Sequence, residues 1–319
     1  MKVLFMGTPD IAKESLEALV NAGHEIVGVV TVPDRPNSRG NKVIYSPVKE
    51  FAIEKGFKIY QPETLTKNEE FLEEVKSLNP DIICVVAYGK YIPKVYINLC
   101  KYEPVNVHPS LLPKYRGSSP IQWAVLNGDK ETGCSTMYIS PKMDAGDIIL
   151  QEKIEIEEYE TTGELWDRLS SLGAKLLVET LARLEDGTAP RNSQGEEYTE
   201  TSMITKEMAK INWNEISSEK LKNLVRGLNP FLGAYSLLNG KKIKIWSIRI
   251  VDDEDLISQD VLEKATPGEI LLSDSKKGLF VKTIDGVISV LEIQGENAKR
   301  MGILDFLRGT KIEVNTKFE

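Results

Sequence analysis

The strongest constraint on the fold is a change of rhythm along the chain. Up to about residue 185, short apolar runs alternate with longer amphipathic stretches. Residues 3–6, 26–32, 58–60, 82–87 and 105–108 read as strands, and 11–22, 47–55 and 69–78 carry helical spacing and good helix formers. Strands alternating with helices predict βαβ units and a mainly parallel sheet covered on both faces, with a cleft at the carboxyl ends of its strands. Residues 134–140 and 148–156 read as two further strands about a turn at 141–147. A helix follows over 162–185, with Thr161 or Thr162 at its start and Gly187 just past its end.

The rhythm then breaks. Residues 186–202 are polar and rich in turn formers, which predicts a linker. A helix over 217–228 stops before Asn229-Pro230. Strand-type runs follow at 234–238, 241–251, 269–272, 278–283 and 287–294, with Asn239-Gly240 and Asp285-Gly286 as turns. Such spacing predicts a small antiparallel barrel. The expected organisation is a first domain over 1–188, a linker over 189–205 and a second domain over 206–319.

Charge narrows the function. The net charge is −8 over 319 residues, which argues against a protein that coats nucleic acid without selectivity. Residues 1–205 carry 22 basic and 31 acidic side chains, whereas residues 206–319 carry 18 and 17. A nearly neutral second domain with lysine clusters can present a basic face. No apolar run approaches the ~20 residues of a membrane span, and the apolar start is too short for a secretory signal. A cytoplasmic location is expected. Cys84, Cys100 and Cys134 are widely spaced, with no CxxC pair, so buried reduced thiols are expected and no metal site.

The loop after the first run, Met6-Gly7-Thr8-Pro9-Asp10, holds only one glycine of a dinucleotide-binding fingerprint. It reads instead as a strand-to-helix turn with Thr8 at the N-cap. Residues 105–117, VNVHPSLLPKYRG, are richer in chemistry. Asn106 and His108 stand two apart, so on a strand they share a face, at its carboxyl end. The other histidine, His24, lies in a turn. Met143-Asp144-Ala145-Gly146-Asp147 offers two carboxylates, and a carboxylate close to imidazole favours its protonated form. Asp147 suits a turn that holds backbone amides, and Asp144 suits the cleft.

The strings AYGKYIP (87–93), NVHPSLLPKYRG (106–117), SPIQWAVLNGD (119–129) and MDAGDI (143–148) resemble the folate-dependent formyltransferases. MGTPD (6–10), PDRPNSRGNK (33–42), INW (211–213), RGLNPFLGAYS (226–236) and AKRM (298–301) are similar to the branch that acts on methionyl-tRNA. The likeness covers nearly the whole chain. It implies a Rossmann-like α/β catalytic domain and an OB-like carboxy-terminal barrel. It also implies Asn106, His108 and Asp144 as the catalytic trio, and 10-formyltetrahydrofolate as formyl donor. The donor would be held by Ser110, Leu111, Leu112 and Pro113, with Tyr88 and Gly89 near its pterin end.

The resemblance further implies that the 35–44 loop engages the acceptor end of initiator methionyl-tRNA through Arg35, Arg39 and Lys42. Asn41 stands where many relatives carry a lysine. The second domain would add Lys241, Lys242, Lys244, Lys299 and Arg300, although each cluster also reads as a plain solvated face. A monomer is expected, with no metal. Transformylases acting on glycinamide ribonucleotide or sugar nucleotides would share the trio. They would leave the second domain or the 33–42 loop without a role. An RNA-binding module with a dead first domain is a further alternative, which the intact trio opposes.

Overall fold

The computed structural model describes residues 1–36, 43–251 and 257–319, apart from the side chains of residues 36, 43 and 259. Its amino-terminal half forms a seven-stranded sheet. Across it run Ile148–Glu155, Glu131–Tyr138, Val105–His108, Ile82–Val86, Lys2–Gly7, Glu25–Val30 and Ile59–Tyr60. The last five are mutually parallel, and the first two pair antiparallel. The interior strand Lys2–Gly7 is buried from Val3 onward, which explains its unbroken apolar run.

Alternate residues feed opposite faces. Val3, Phe5, Cys84, Val86, Val105 and Val107 pack with Leu16, Leu19, Leu177 and Leu181. Leu4, Met6, Ile83 and Val85 pack with Tyr88 and Tyr96. Asn106 and His108 belong to the second face, because Asn106 lies opposite Val85 and Met137 across the ladders.

Helix Pro47–Lys55 is capped by Ser46 and Glu69–Leu78 by Asn68, each accepting from the amide three residues on. Helix Asp10–Asn21 departs from expectation. Its N-cap is Pro9, with no side-chain cap, and the Thr8 hydroxyl donates to the Tyr88 carbonyl instead. The 24-residue helix Thr162–Glu185 opens with a reciprocal cap. The Thr161 amide donates to the Glu164 carboxylate, and the Glu164 amide to the Thr161 hydroxyl.

The antiparallel sheet of the second half has the order Ala234–Leu238, Lys241–Ile250, Val287–Gln294, Gly278–Lys282, Ile270–Asp274, with Met301–Gly302 beside Val287–Gln294. Asn239 and Gly240, both at positive φ, make the two-residue turn that joins the first two strands. The two outer strands do not stay open. The Glu319 amide donates to Leu237 O and the Ile270 amide to Thr316 O, both at 2.9 Å, so the carboxy-terminal residues seam one edge to the other. Phe318 is fully buried in this seam and stacks on Trp213, centroids 5.6 Å apart. The expected barrel is present, closed by a segment that the strand pattern did not single out.

Division of the chain differs from the expected boundaries. One compact unit comprises residues 1–120, 131–155 and 166–202; the other comprises 121–130, 156–165 and 203–319. Most of the stretch expected to be a linker is built into the first unit. Glu200–Thr201 pairs with Arg116–Gly117, and Gln194 is buried. Residues 191–193 and 195–200 remain exposed, so its polar composition fits a chain that lies on the surface and is tethered at Asn192, Gln194 and Thr199–Thr201. In the second unit, Thr162 Oγ1 donates to Gly227 O at 2.8 Å and the Gly163 amide to Asn229 O at 3.1 Å. Arg226 Nη1 reaches the carbonyls of Glu157 and Glu160. Among the described residues, no helix is long and apolar enough to cross a membrane.

Candidate active site

His108 is the last residue of its strand and only 5% exposed. Its Nε2 lies 2.8 Å from the carbonyl oxygen of Tyr115. A carbonyl can only accept, so Nε2 carries the hydrogen. The other ring nitrogen, Nδ1, lies 3.7 Å from Asp144 Oδ2. That oxygen also accepts the Gly117 amide at 2.8 Å. One backbone segment, 115–117, therefore holds both side chains: a carbonyl for the imidazole and an amide for the carboxylate. Asn106, half-buried, stands two residues back on the same face.

Asp144 reaches the site by an indirect route. Glu131–Tyr138 runs antiparallel to Val105–His108, with Tyr138 opposite Val105. The loop that follows thus starts beside Val105, roughly 10 Å of strand away from His108 at about 3.3 Å per residue. It must arch back to deliver the carboxylate. Gln194 holds the arch: its Nε2 donates to Asp144 O at 2.9 Å and to Gly146 O at 2.7 Å, while its Oε1 accepts from Arg116 Nε at 2.8 Å. Asp144 itself sits at φ +47, and Tyr115, Ser119 and Ala87 at +61, +60 and +44. Non-glycine residues in this region are held there by their surroundings and gather at functional sites.

Gly117 has φ +103, and a Cβ there would lie 2.5 Å from Thr201 O. Only glycine lets the 113–118 segment lie flat on the 199–201 strand. There the Tyr115 amide donates to Thr199 Oγ1 and the Arg116 amide to Thr199 O, both at 2.8 Å.

Several expected contacts take another form. Asp147, expected to hold backbone amides, pairs through its carboxylate with Arg191, 3.2 Å away. The residue that accepts an amide is Asp144. The Ser110 hydroxyl turns inward to Lys114 O at 2.7 Å and Leu112 is buried with Met137 and Ile148, so neither side chain is displayed for a ligand. Leu111 and Pro113 are partly exposed. The Tyr88 ring is buried, and burial pushes its phenol up to about 12. Its backbone, with Gly89 at φ +83, is what it can offer. Burial likewise pushes the Cys100 thiol to about 11 and Cys134 to about 12, which leaves little thiolate for nucleophilic chemistry.

Of the expected tRNA contacts in the first unit, Arg35 is exposed in a two-residue ladder with Val43–Ile44. Arg39 and Lys42 lie outside the described residues. In the second unit the strand lysines divide by pleat. Lys242 and Lys244 share one face, and Lys241 faces the other way. Lys242 stands 3.6 Å over the Tyr235 ring. Lys244 donates to Leu232 O, and burial, with Lys242 adding to it, pushes its ammonium down. Lys299 is exposed, whereas Arg300 pairs with Glu292 and lies over Trp246. Lys244 and Arg300 are thus partly spent on the fold.

Comparison with known proteins divides the chain once, between residues 181 and 203. Residues 1–181 match the family model for formyl transferase, and residues 203–311 match the model for the formyl transferase carboxy-terminal domain. The methionyl-tRNA formyltransferase of Caldanaerobacter subterraneus is 44% identical over 317 residues, 99% of each chain. That of Clostridioides difficile is 42% identical over 314 residues, 98% of each chain. Among solved structures, the N-formyltransferase from Helicobacter canadensis, in complex with folinic acid and dTDP-3-aminofucose, has a TM-score of 0.65 at 22% identity, covering 93% of this chain and all of its own. HypX from Aquifex aeolicus in complex with tetrahydrofolic acid has a TM-score of 0.64 at 17% identity, covering 96% of this chain and 47% of its own. At those identities the two structures bear on the fold alone.

Proposed function

Because the chain belongs to the formyl transferase family in both of its halves, we propose that it transfers the formyl group of 10-formyltetrahydrofolate to the amino group of initiator methionyl-tRNA. The observation that carries the choice of acceptor is the likeness to methionyl-tRNA formyltransferases at 42–44% identity over nearly the full length of both partners. The imidazole and carboxylate that meet in the first unit suit the chemistry.

The amine lone pair attacks the formyl carbon and the carbonyl electrons move onto oxygen. The carbon–nitrogen bond to the folate then breaks. One proton leaves the attacking amine and one reaches the departing nitrogen, so the net change is a proton passed from acceptor to donor. Asn106 is assigned as a hydrogen-bond donor to the developing oxyanion, an interaction worth on the order of 10²–10³ in rate. His108 is assigned to the same charge. With Nε2–H committed to Tyr115 O, a proton gained at Nδ1 makes an imidazolium held between a carbonyl and a carboxylate. Asp144 orients that ring and takes up the amine proton. The reading carries with it a cytoplasmic, monomeric enzyme.

Incubation with labelled 10-formyltetrahydrofolate and charged initiator tRNA should make the label acid-precipitable. Charged elongator methionyl-tRNA and a dTDP-amino sugar serve as competing acceptors. Preferred labelling of the sugar nucleotide would overturn the acceptor assignment. No transfer to any amine would overturn the activity.

A further inference from the structure

We propose that Gln194 is a positioning residue for the transfer step: its side chain fixes where the Asp144 carboxylate stands relative to His108. The inference rests on the formyl-transfer reading only for its kinetic part. Its geometric part concerns the site whatever the acceptor.

Gln194 lies in the polar stretch after helix Thr162–Glu185, in which nothing in the sequence marks a site. It is 8% exposed, and its whole amide is used. Two carbonyls, Asp144 O and Gly146 O, surround Nε2, and the Arg116 guanidinium faces Oε1. These partners fix the amide orientation, because carbonyls require the nitrogen and a guanidinium requires the oxygen. Arg116 is in turn flanked by the segment it holds: Tyr115 O binds His108 and the Gly117 amide binds Asp144. Gln194 therefore ties the arch that carries the carboxylate to the strand that holds the imidazole. Without it the arch keeps the Gly117 amide bond to the carboxylate itself and loses both backbone anchors at Asp144 and Gly146. Gln194 does not touch the reacting atoms, and its effect runs through Asp144.

Glutamate at this position separates placement from packing. Gln194→Glu is nearly isosteric and keeps the Arg116 partner, but it sets an ionised oxygen against two carbonyls. The variant should fold, and its kcat should fall by about 10–100-fold, the loss that a misplacement of about 1 Å produces. KM for folate and for tRNA should stay close to wild type. In an Asp144→Ala background the same substitution should cost little more, because the group it positions is gone. An activity-independent readout is the His108 imidazole resonance, read in a His24→Gln background that leaves one histidine. It should move in Gln194→Glu and not in Thr180→Val, which breaks a buried hydrogen bond of the same unit to Thr136. Equal kcat in Gln194→Glu and wild type, or full additivity with Asp144→Ala, would overturn the role. A shifted resonance in a protein that transfers formyl to no amine would retain the positioning role and reject the reaction.

Discussion

At the level of single residues, the site depends on backbone groups as much as on side chains. His108 and Asp144 are legible in the sequence because chemistry-bearing residue types stand out and a two-residue spacing puts Asn106 and His108 on one face. What holds them is not legible. The carbonyl of Tyr115 and the amide of Gly117 are groups that every residue but proline possesses, so no pattern announces them. Asp144→Asn isolates the charge, since an asparagine oxygen can still accept the Gly117 amide. The expected result is a loss of ~10²–10⁴ in kcat with tRNA binding retained, measured by filter binding beside single-turnover rates. Wild-type turnover in that variant would remove Asp144 from the chemistry. Ser110 and Leu112 teach the converse. A motif can single out residues that serve it by packing, and Ser110→Ala should act through loop stability, seen as a lower melting temperature.

Among the elements, those with strong local signals are the ones the sequence places well. Pro47–Lys55 and Glu69–Leu78 have the bounds that their spacing predicts, and Thr162–Glu185 those that its spacing and cap predict. Elements made by tertiary pairing are the ones it misses. Arg116–Gly117 and Glu200–Thr201 exist as strands only because they meet. The Thr161 cap gives a pH-dependent test. The Thr161 amide and hydroxyl hold the Glu164 carboxyl below the usual carboxylate range. A depressed folded-state value means that the stabilisation is complete above the unfolded value, about 4.3, and is lost as acid carries the solution down through the folded one. Glu164→Gln should therefore lower the melting temperature at neutral pH and flatten its fall below about pH 4.3, by calorimetry. An unchanged acid limb would reject this source. The seam of the barrel is tested by Phe318→Ala, which empties a fully buried site against Trp213. A cost of about 3–5 kcal/mol is expected, read as faster hydrogen exchange at Leu237 and Ile270.

For the molecule as a whole, charge is uneven between its halves, and the expected contribution of the second unit's exposed cations to a tRNA complex is read from its salt dependence. Lys241→Glu with Lys242→Glu should reduce the slope of log affinity against log salt by about one for each phosphate no longer neutralised. Lys244 is left out because its ammonium also bonds Leu232 O and its reversal would disturb the fold. An unchanged slope would show these two lysines to be merely solvated. Rhythm and turn residues made the two architectures legible. They did not reveal which residues travel with which unit, since membership depends on long-range partners such as Gly227 for Thr162.

That partition bears on how such chains can be recombined. Residues 121–130 and 156–165 belong with 203–319, so the two units are not consecutive paragraphs of the gene. A chimera cut once near residue 203 would inherit the barrel from one parent and the segments that meet Gly227, Asn229 and Arg226 from the other. Parents alike in both insertions could exchange this half through a single cut; parents that differ there would have to carry 121–130 and 156–165 along with it.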